Sequence, residues 1–346
     1  MPLINTDNKL MTPTNYYLVA DIGGTNARFA ISNAQNHQIV VHENLNCQDF
    51  NNIDAAVCYF LAKHVNDYLI KYACFAVAAP VMNNRVKFTN SHWYFDIDKL
   101  QRKLDLEKLL VINDFKAQAC SIPFLQDSDS IVLIKPNKKV PNDLPISIIG
   151  AGTGLGVASL HYIDGNYLAM TSEGGHAGFT PSNDMENEVL SYLMSRFGYV
   201  TREHILSGPG IVNLYQAVAS ISKVDAPLNE PYLITQAALE KNDPLALTVL
   251  TMFCQIMGTV CADIILTQGS NGALYIAGGI APKIQKIFEQ GAFSERFLRK
   301  GSAYEFLRYT PVYLITQSLT GLIGASAALQ QYNHGLPVND LVENLI

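Results

Sequence analysis

The sequence predicts an α/β fold in two lobes, and three observations carry that expectation. At residues 16–31, "YYLVADIGGTNARFAI", a β-rich apolar run meets a turn holding an Asp, two glycines and a Thr, then resumes as a second β-rich run. The same plan returns at residues 146–162, "ISIIGAGTGLGVASLHY". Two copies of strand, glycine turn and strand, each followed by further strand and helix units, suggest two related halves. The chain also has 346 residues, more than the roughly 250–300 at which one hydrophobic core stops growing.

Taken in order, "YYLVAD" and "ARFAIS" read as strands joined by the first glycine turn, and "QIVVHENL" adds a third to make a meander. Residues 48–70 space Ile53, Val57, Phe60, Leu61, Val65 and Leu69 by threes and fours, the apolar face of a helix. "YACFAVAAPV" follows as a buried strand. "DLEKLLVIND" repeats the pattern, an apolar run closing on Asn113 and Asp114, and "FKAQACSI" starts a helix. Beyond the second glycine hairpin, residues 184–221 read as helical with a break at "SGPG", and residues 232–266 as two or more helices broken at Pro244. "GALYIAGGIAPKI" is a strand, a glycine pair and a helix start; "PVYLIT" is a strand and "GLIGASAALQQY" a closing helix. The Pro- and Asn-rich residues 126–145, and residues 222–231, read as flexible links.

Composition narrows the function. Hydrophobic residues are 49% and charged residues 16%, a globular balance. With a net charge of -6 and no block of five or six Lys and Arg to track a phosphate backbone, nucleic acid is not an expected partner. Residues 1–15 lack the apolar core of a signal peptide, and the richest apolar stretch, "IMGTVCADIIL", is short and contains Asp263. The expectation is a cytoplasmic protein that does not associate with membrane. Six cysteines without a C-x-x-C pair read as packing thiols, neither a disulfide framework nor a zinc site.

Glycine turns aim backbone N–H groups at phosphate oxygens. A Walker loop needs a Gly-Lys pair, which the chain lacks. A dinucleotide fingerprint needs G-x-G-x-x-G between a strand and a helix, whereas Gly150, Gly152, Gly154 and Gly156 lead into another strand, "VASLHY". What remains is a pair of hairpin turns, Thr25 in one and Thr153 in the other, suited to gripping a polyphosphate from two sides. Asp21, at a strand end, would serve Mg²⁺, which in such sites takes one or two carboxylates plus phosphate oxygens. An ordinary hairpin turn accounts for the glycines but leaves Asp21 and Thr25 without a task.

"DIGGTNARFAI", "FTNSHWYFD", "INDFKAQA", "GAGTGLGVA", "EGGHAGF", "ILSGPGIVNLY" and "YIAGGIAPKI" stand in an order and spacing that resemble the bacterial glucokinase family, of proteobacterial and cyanobacterial type, over about residues 16–332. The resemblance implies a two-lobed actin-like, ribonuclease-H-like ATPase fold of mixed central sheets flanked by helices, with ATP and sugar in the cleft. It implies ATP-dependent transfer of phosphate to the 6-hydroxyl of D-glucose, Mg²⁺ as cofactor and a homodimer. By the same resemblance Asp114 is the base that takes the hydroxyl proton, and Asn113, Asp114, Glu173, His176 and Glu203 contact the sugar; Asn90 of "TNSHWYFD" is a further candidate for sugar contact. Phosphate and adenine contacts fall on Ala20, Asp21, Ile22, Gly23, Gly24 and Thr25, on Gly152, Thr153 and Gly154, and on Gly278 and Gly279, with Asp21 also the metal residue. The lobes are expected to be discontinuous. Residues 1–113 with 312–346 would form the smaller, carrying the first phosphate turn, and residues 114–311 the larger, carrying the second turn, the sugar loop and the adenine-side turn. Related sugar kinases and repressors carry a Cys-rich zinc motif after their E-x-G-H segment; residues 177–200 here contain no cysteine. The stretch around Glu203 matches the family residue for residue except at His204.

Chemistry supports these assignments and sets a competing reading beside each. Phosphoryl transfer requires positioning, charge neutralisation and a group to receive the hydroxyl proton, and one rigidly held carboxylate suffices. Asp114 has that place, although an Asp before a helix is also a common N-cap. Glu173, His176, Asn113 and Glu203 supply the donors and acceptors that adjacent sugar hydroxyls need. A lone His such as His176 is more often buried and structural, Glu203 reads equally as a solvated helix-end charge, and Asn90 and Trp93 as a turn cap and a core residue. Asp263 is expected to make a structural hydrogen bond. Other readings are a kinase for mannose or fructose, a non-catalytic sugar-sensing regulator, and an ATPase independent of sugar.

Overall fold

A computed structural model describes residues 15–64, 68–88, 91–136, 138, 140–141, 143–336 and 338. The chain divides into two units, Met1–Phe124 with Leu319–Ile346, and Leu125–Ser318.

In the first unit β1 (Tyr16–Ile22), β2 (Asn26–Asn33) and β3 (Ile39–Asn46) form the antiparallel meander, followed by helix α1 (Ile53–His64). β4 (Ile70–Val77) pairs parallel with β1. A small antiparallel sheet of β5 (Val81–Met82), β6 (Arg85–Lys87) and β7 (Tyr94–Asp96) leads into α2 (Ile97–Lys103), and β8 (Lys108–Asn113) then pairs parallel with β4. Helix α3 (Asp114–Ser121) starts directly from β8. Because successive strand residues face opposite sides, Leu18, Ala20 and Ile22 join a core with Phe29, Ile53, Phe60, Phe75 and Trp93. Tyr17, Val19 and Asp21 face the other side of the sheet. That side is covered by the closing helix of the chain, Thr320–Asn333, which packs on α3, β1 and β4.

The second unit contains β9 (Ser130–Ile134), β10 (Ile146–Ala151), β11 (Leu155–Ile163), β12 (Asn166–Ser172), α4 (Asp184–Phe197), α5 (Gly208–Ser222), α6 (Pro231–Glu240) and α7 (Pro244–Gln268). It continues with β13 (Ala273–Ala277), α8 (Gln285–Glu289), α9 (Ala292–Leu298), α10 (Tyr304–Leu307) and β14 (Val312–Ile315). The closing helix is α11.

The strand orders show how the halves are related. The first sheet runs β3-β2-β1-β4-β8 and the second β12-β11-β10-β13-β14-β9. In both, the meander is antiparallel and the next two strands are added in parallel. The repeated strand, glycine turn and strand of the sequence is thus the start of a repeated five-strand topology, to which the second unit adds β9 at its edge.

Several expectations are corrected. Both expected lobe boundaries shift: α3 packs on α11 and belongs to the first unit, whereas β14 hydrogen-bonds between β13 and β9 and belongs to the second. Residues 130–134, read within a flexible link, are an edge strand, because "SIVLI" completes a ladder that the surrounding Pro and Asn residues do not advertise. The helix expected over 48–70 is described as α1 over Ile53–His64; Val65 lies outside the described residues, and Leu69 is exposed. Five cysteines are buried but Cys58 is exposed. Helix α7 is 25 residues and by length and composition apolar enough to cross a membrane, a stretch longer than the sequence reading allowed. Within that window 78% is buried inside the unit, where α7 is hydrophobic on all sides, as a central core helix must be.

Candidate active site

In the first unit the site residues gather at the carboxyl ends of the parallel strands, where open α/β sheets bind ligands. Ile22, Val77 and Asn113 are cross-strand partners on β1, β4 and β8. With strands about 4.8 Å apart, the first glycine turn and the Asn113–Asp114 pair lie roughly 10 Å apart across the sheet. The turn is tightened by Gly23 N–H donating to Asn26 O at 2.9 Å, and tied to the end of β3 by Cys47 N–H donating to Thr25 O at 2.8 Å.

Asp21 lies opposite Arg28 on β2, its Oδ2 3.8 Å from the guanidinium. On the helix-covered face it also lies against the first turn of α11, where a Cβ at Gly321 would come within 2.8 Å of Asp21 Oδ2. Burial pushes the Asp21 carboxyl above its ordinary value, and Arg28 opposes that shift. A carboxyl raised by burial favours folding fully below the unfolded value, and that contribution is lost as pH rises through the folded value. D21N, which has no charge to bury, is therefore expected to gain stability relative to the parent as pH rises through that acid window. Urea unfolding at a series of pH values measures this; a difference independent of pH rules it out.

Asn113 and Asp114 divide the labour at the start of α3. Asn113 is the N-cap, its Oδ1 accepting from Phe115 N–H at 2.8 Å and Lys116 N–H at 3.2 Å. Asp114 is the first helical residue, and its Oδ1 accepts from Phe115 N–H at 2.9 Å. The competing N-cap reading of Asp114 is corrected, since the cap is its neighbour. An acidic group in a first helical turn is favoured by the helix dipole.

The second unit joins four sequence motifs into one hydrogen-bonded cluster. The second glycine turn is closed by Gly152 N–H donating to Gly154 O at 2.9 Å, and Gly152 O accepts from Gly208 N–H, at the start of α5, at 2.8 Å. Gly278 sits with φ +86° against the end of β10, where any Cβ would lie 2.4 Å from Ala151 O, so only glycine fits. Glu173 precedes the short turn Gly174–His176. The segment after it is laddered to residues 200–203: Phe179 N–H donates to Val200 O, Arg202 N–H to Ala177 O, and Glu203 N–H to Gly175 O. Glu203 Oε2 accepts from Leu155 N–H at 2.8 Å.

Two competing readings fall. The His176 side chain is 60% exposed and its Nε2 stands 3.6 Å from Glu173 Oε2, so it is not a buried structural histidine. Glu203 is not a solvated helix-end charge but an acceptor for Leu155 N–H, directly after the second glycine turn. The glycines beside His176 reflect packing: a Cβ at Gly175 would lie 2.0 Å from Leu155 O. Trp93 is a core residue, its Nε1 donating to Phe50 O at 3.2 Å. Asp263 pairs with Lys300. Asn90 lies outside the described residues. The sequence reading missed Gly321, Arg28 and Ser207, the N-cap of α5 whose Oγ donates to Glu203 O at 2.7 Å. For Ser207 the cap signature "SGPG" was available.

A family model described as glucokinase matches residues 18–332. The chain belongs to the glucokinase family. Among its relatives, the glucokinase of Marinobacter nauticus is 41% identical over 321 residues, spanning 92% of this chain and 98% of that protein. The crystal structure of a glucokinase from an Antarctic psychrotroph matches with a TM-score of 0.82 at 32% identity, covering 92% of this chain and all of the other. A ROK family glucokinase from Streptomyces griseus, in complex with glucose and AMPPNP, shares the fold at a TM-score of 0.64 and 18% identity, over 91% of this chain and 99% of that one. The duplicated mixed-sheet topology is that of the actin-like sugar kinases to which these glucokinases belong.

Proposed function

We propose that this protein transfers the γ-phosphoryl group of ATP to the 6-hydroxyl of D-glucose, with Asp114 as general base. The observation that carries the mechanism is the strand-end row: Asp114 follows β8 in register with the end of β1, where the first phosphate turn begins, in a chain of the glucokinase family. Asp114 accepts the proton of the 6-hydroxyl, that oxygen bonds to the γ-phosphorus, and the bond to ADP's β-phosphate oxygen breaks, so charge and atoms balance. Asn113, Glu173, His176 and Glu203 hold the remaining sugar hydroxyls, and a sugar lacking one of them leaves a site group unpaired.

The turns Ala20–Thr25 and Gly152–Gly154, with Gly278 and Gly279, take the nucleotide. Asp21 fits Mg²⁺: its half-buried carboxylate is the single acidic group that a metal arriving on ATP requires. Asp21, with Arg28 beside it, would hold such an ion, which would supply neutralisation of charge on the phosphates. The family resemblance also supports a cytoplasmic homodimer.

A coupled assay for ADP formation over a panel of glucose, mannose and fructose tests the reading. Turnover that requires glucose, and stops when EDTA removes magnesium, is the expected result. A higher kcat/KM for another hexose reassigns the substrate, and ADP formation without sugar rejects the kinase.

A further inference from the structure

We propose that Glu203 anchors the second phosphate turn and thereby couples sugar binding to nucleotide binding; the coupling rests on the proposed contact of Glu203 with the sugar. The carboxylate stands between two motifs far apart in sequence. Its Oε2 accepts from Leu155 N–H at 2.8 Å, directly after the turn Gly152–Gly154. Its own backbone N–H donates to Gly175 O at 3.0 Å, inside the loop that carries Glu173 and His176. Its carbonyl accepts from Ser207 Oγ at 2.7 Å, and the next residue, Gly208, donates to Gly152 O at 2.8 Å. One residue is thus fastened to the sugar loop through its main chain and to the phosphate turn through its side chain.

The packing reserves this position for the carboxylate. A Cβ at Gly154 would lie 2.5 Å from Glu203 Oε2 but 3.9 Å from Oε1, so the turn closes over one oxygen and the other points away from it. Oε2 serves the turn and Oε1 serves a sugar hydroxyl. A sugar held on Oε1 fixes the carboxylate, the carboxylate fixes Leu155 N–H, and the turn is ordered before the nucleotide arrives. Linkage requires the reverse as well, so bound nucleotide tightens sugar by the same factor.

The conservative and truncated variants separate this role from a sugar contact alone. Binding of Mg-ADP is measured by calorimetry in the absence of sugar, alongside KM for glucose. In E203A the turn loses a charge-assisted hydrogen bond, and Mg-ADP affinity is expected to fall roughly tenfold. In E203Q the amide oxygen still accepts from Leu155 N–H, so Mg-ADP affinity is expected within about twofold of the parent while KM for glucose rises. Should E203A not fold, G154A reads the same link, because its methyl displaces Oε2 and leaves the charge in place. Where E203A does fold, E203A with G154A is expected to bind Mg-ADP no more weakly than the poorer single variant, whereas additive losses contradict a shared link. Parent-like Mg-ADP binding by E203A overturns the anchor. An unchanged glucose KM in E203Q, with Mg-ADP binding lost in E203A, overturns the sugar contact and upholds the anchor.

Discussion

D114N is expected to lower kcat by about 10²–10⁴-fold while glucose still binds. The substitution keeps the shape of the side chain and its bond to the helix start. Asn113, not Asp114, caps α3, and an Asn at position 114 keeps an Oδ1 that accepts from Phe115 N–H as the Asp does. The strand-to-helix junction is therefore retained, and with it the direction of the side chain. What is lost is the capacity to take the proton of the attacking hydroxyl. KM for glucose is expected to move by only a few-fold, since the other proposed sugar groups are untouched and an amide still hydrogen-bonds a hydroxyl. Single-turnover phosphate transfer and glucose calorimetry on the same preparation separate the two. Near-normal turnover removes Asp114 from the base role. Loss of glucose binding with an unchanged single-turnover rate at saturation makes it a binding residue instead.

Local pattern announced the parts of this fold that local pattern controls. The two strand, glycine turn and strand segments were legible because a bare turn between β-rich runs is a short-range signal, and they mark the starts of two sheets of the same order. The strand ending at Asn113 was legible for a similar reason, an apolar run closing abruptly on polar residues. Features set by distant partners were not. β9 takes its ladder from β14, whose residues lie some 180 positions later, and its own sequence is crowded by Pro and Asn. The boundary strand β14 looked like part of the closing lobe because it precedes α11 in sequence, but its ladder decides otherwise. The approach of Asp21 to Gly321 and the reach of Glu203 to Leu155 are tertiary facts of the same kind. So is the exposure of His176, which a count of apolar neighbours does not reveal.

R296M is expected to destabilise the second unit by about 3–5 kcal/mol, a large share of the roughly 5–15 kcal/mol by which a protein is stable. Arg296 on α9 and Glu186 on α4 form a two-pronged pair, Nη1 to Oε1 at 2.8 Å and Nη2 to Oε2 at 3.1 Å, with both side chains almost wholly buried. Nη2 also donates to Thr259 Oγ1 on α7 at 3.1 Å, so one guanidinium ties three helices. Removing it leaves a buried carboxylate facing only neutral donors, Ser182 N–H and Asn183 Nδ2. Replacing both partners with apolar residues often relieves such a loss. Here E186M with R296M is expected to recover only part, because Ser182 N–H and Asn183 Nδ2 would lose their acceptor at about 1–3 kcal/mol for a buried group. Urea midpoints of the two single variants and the double variant give the order. Ser182 and Asn183 end the segment that begins at Glu173, so R296M is also expected to raise KM for glucose more than KM for ATP. A loss below about 1 kcal/mol would mean that the pair behaves as a surface ion pair and that the three helices are held by their apolar contacts alone.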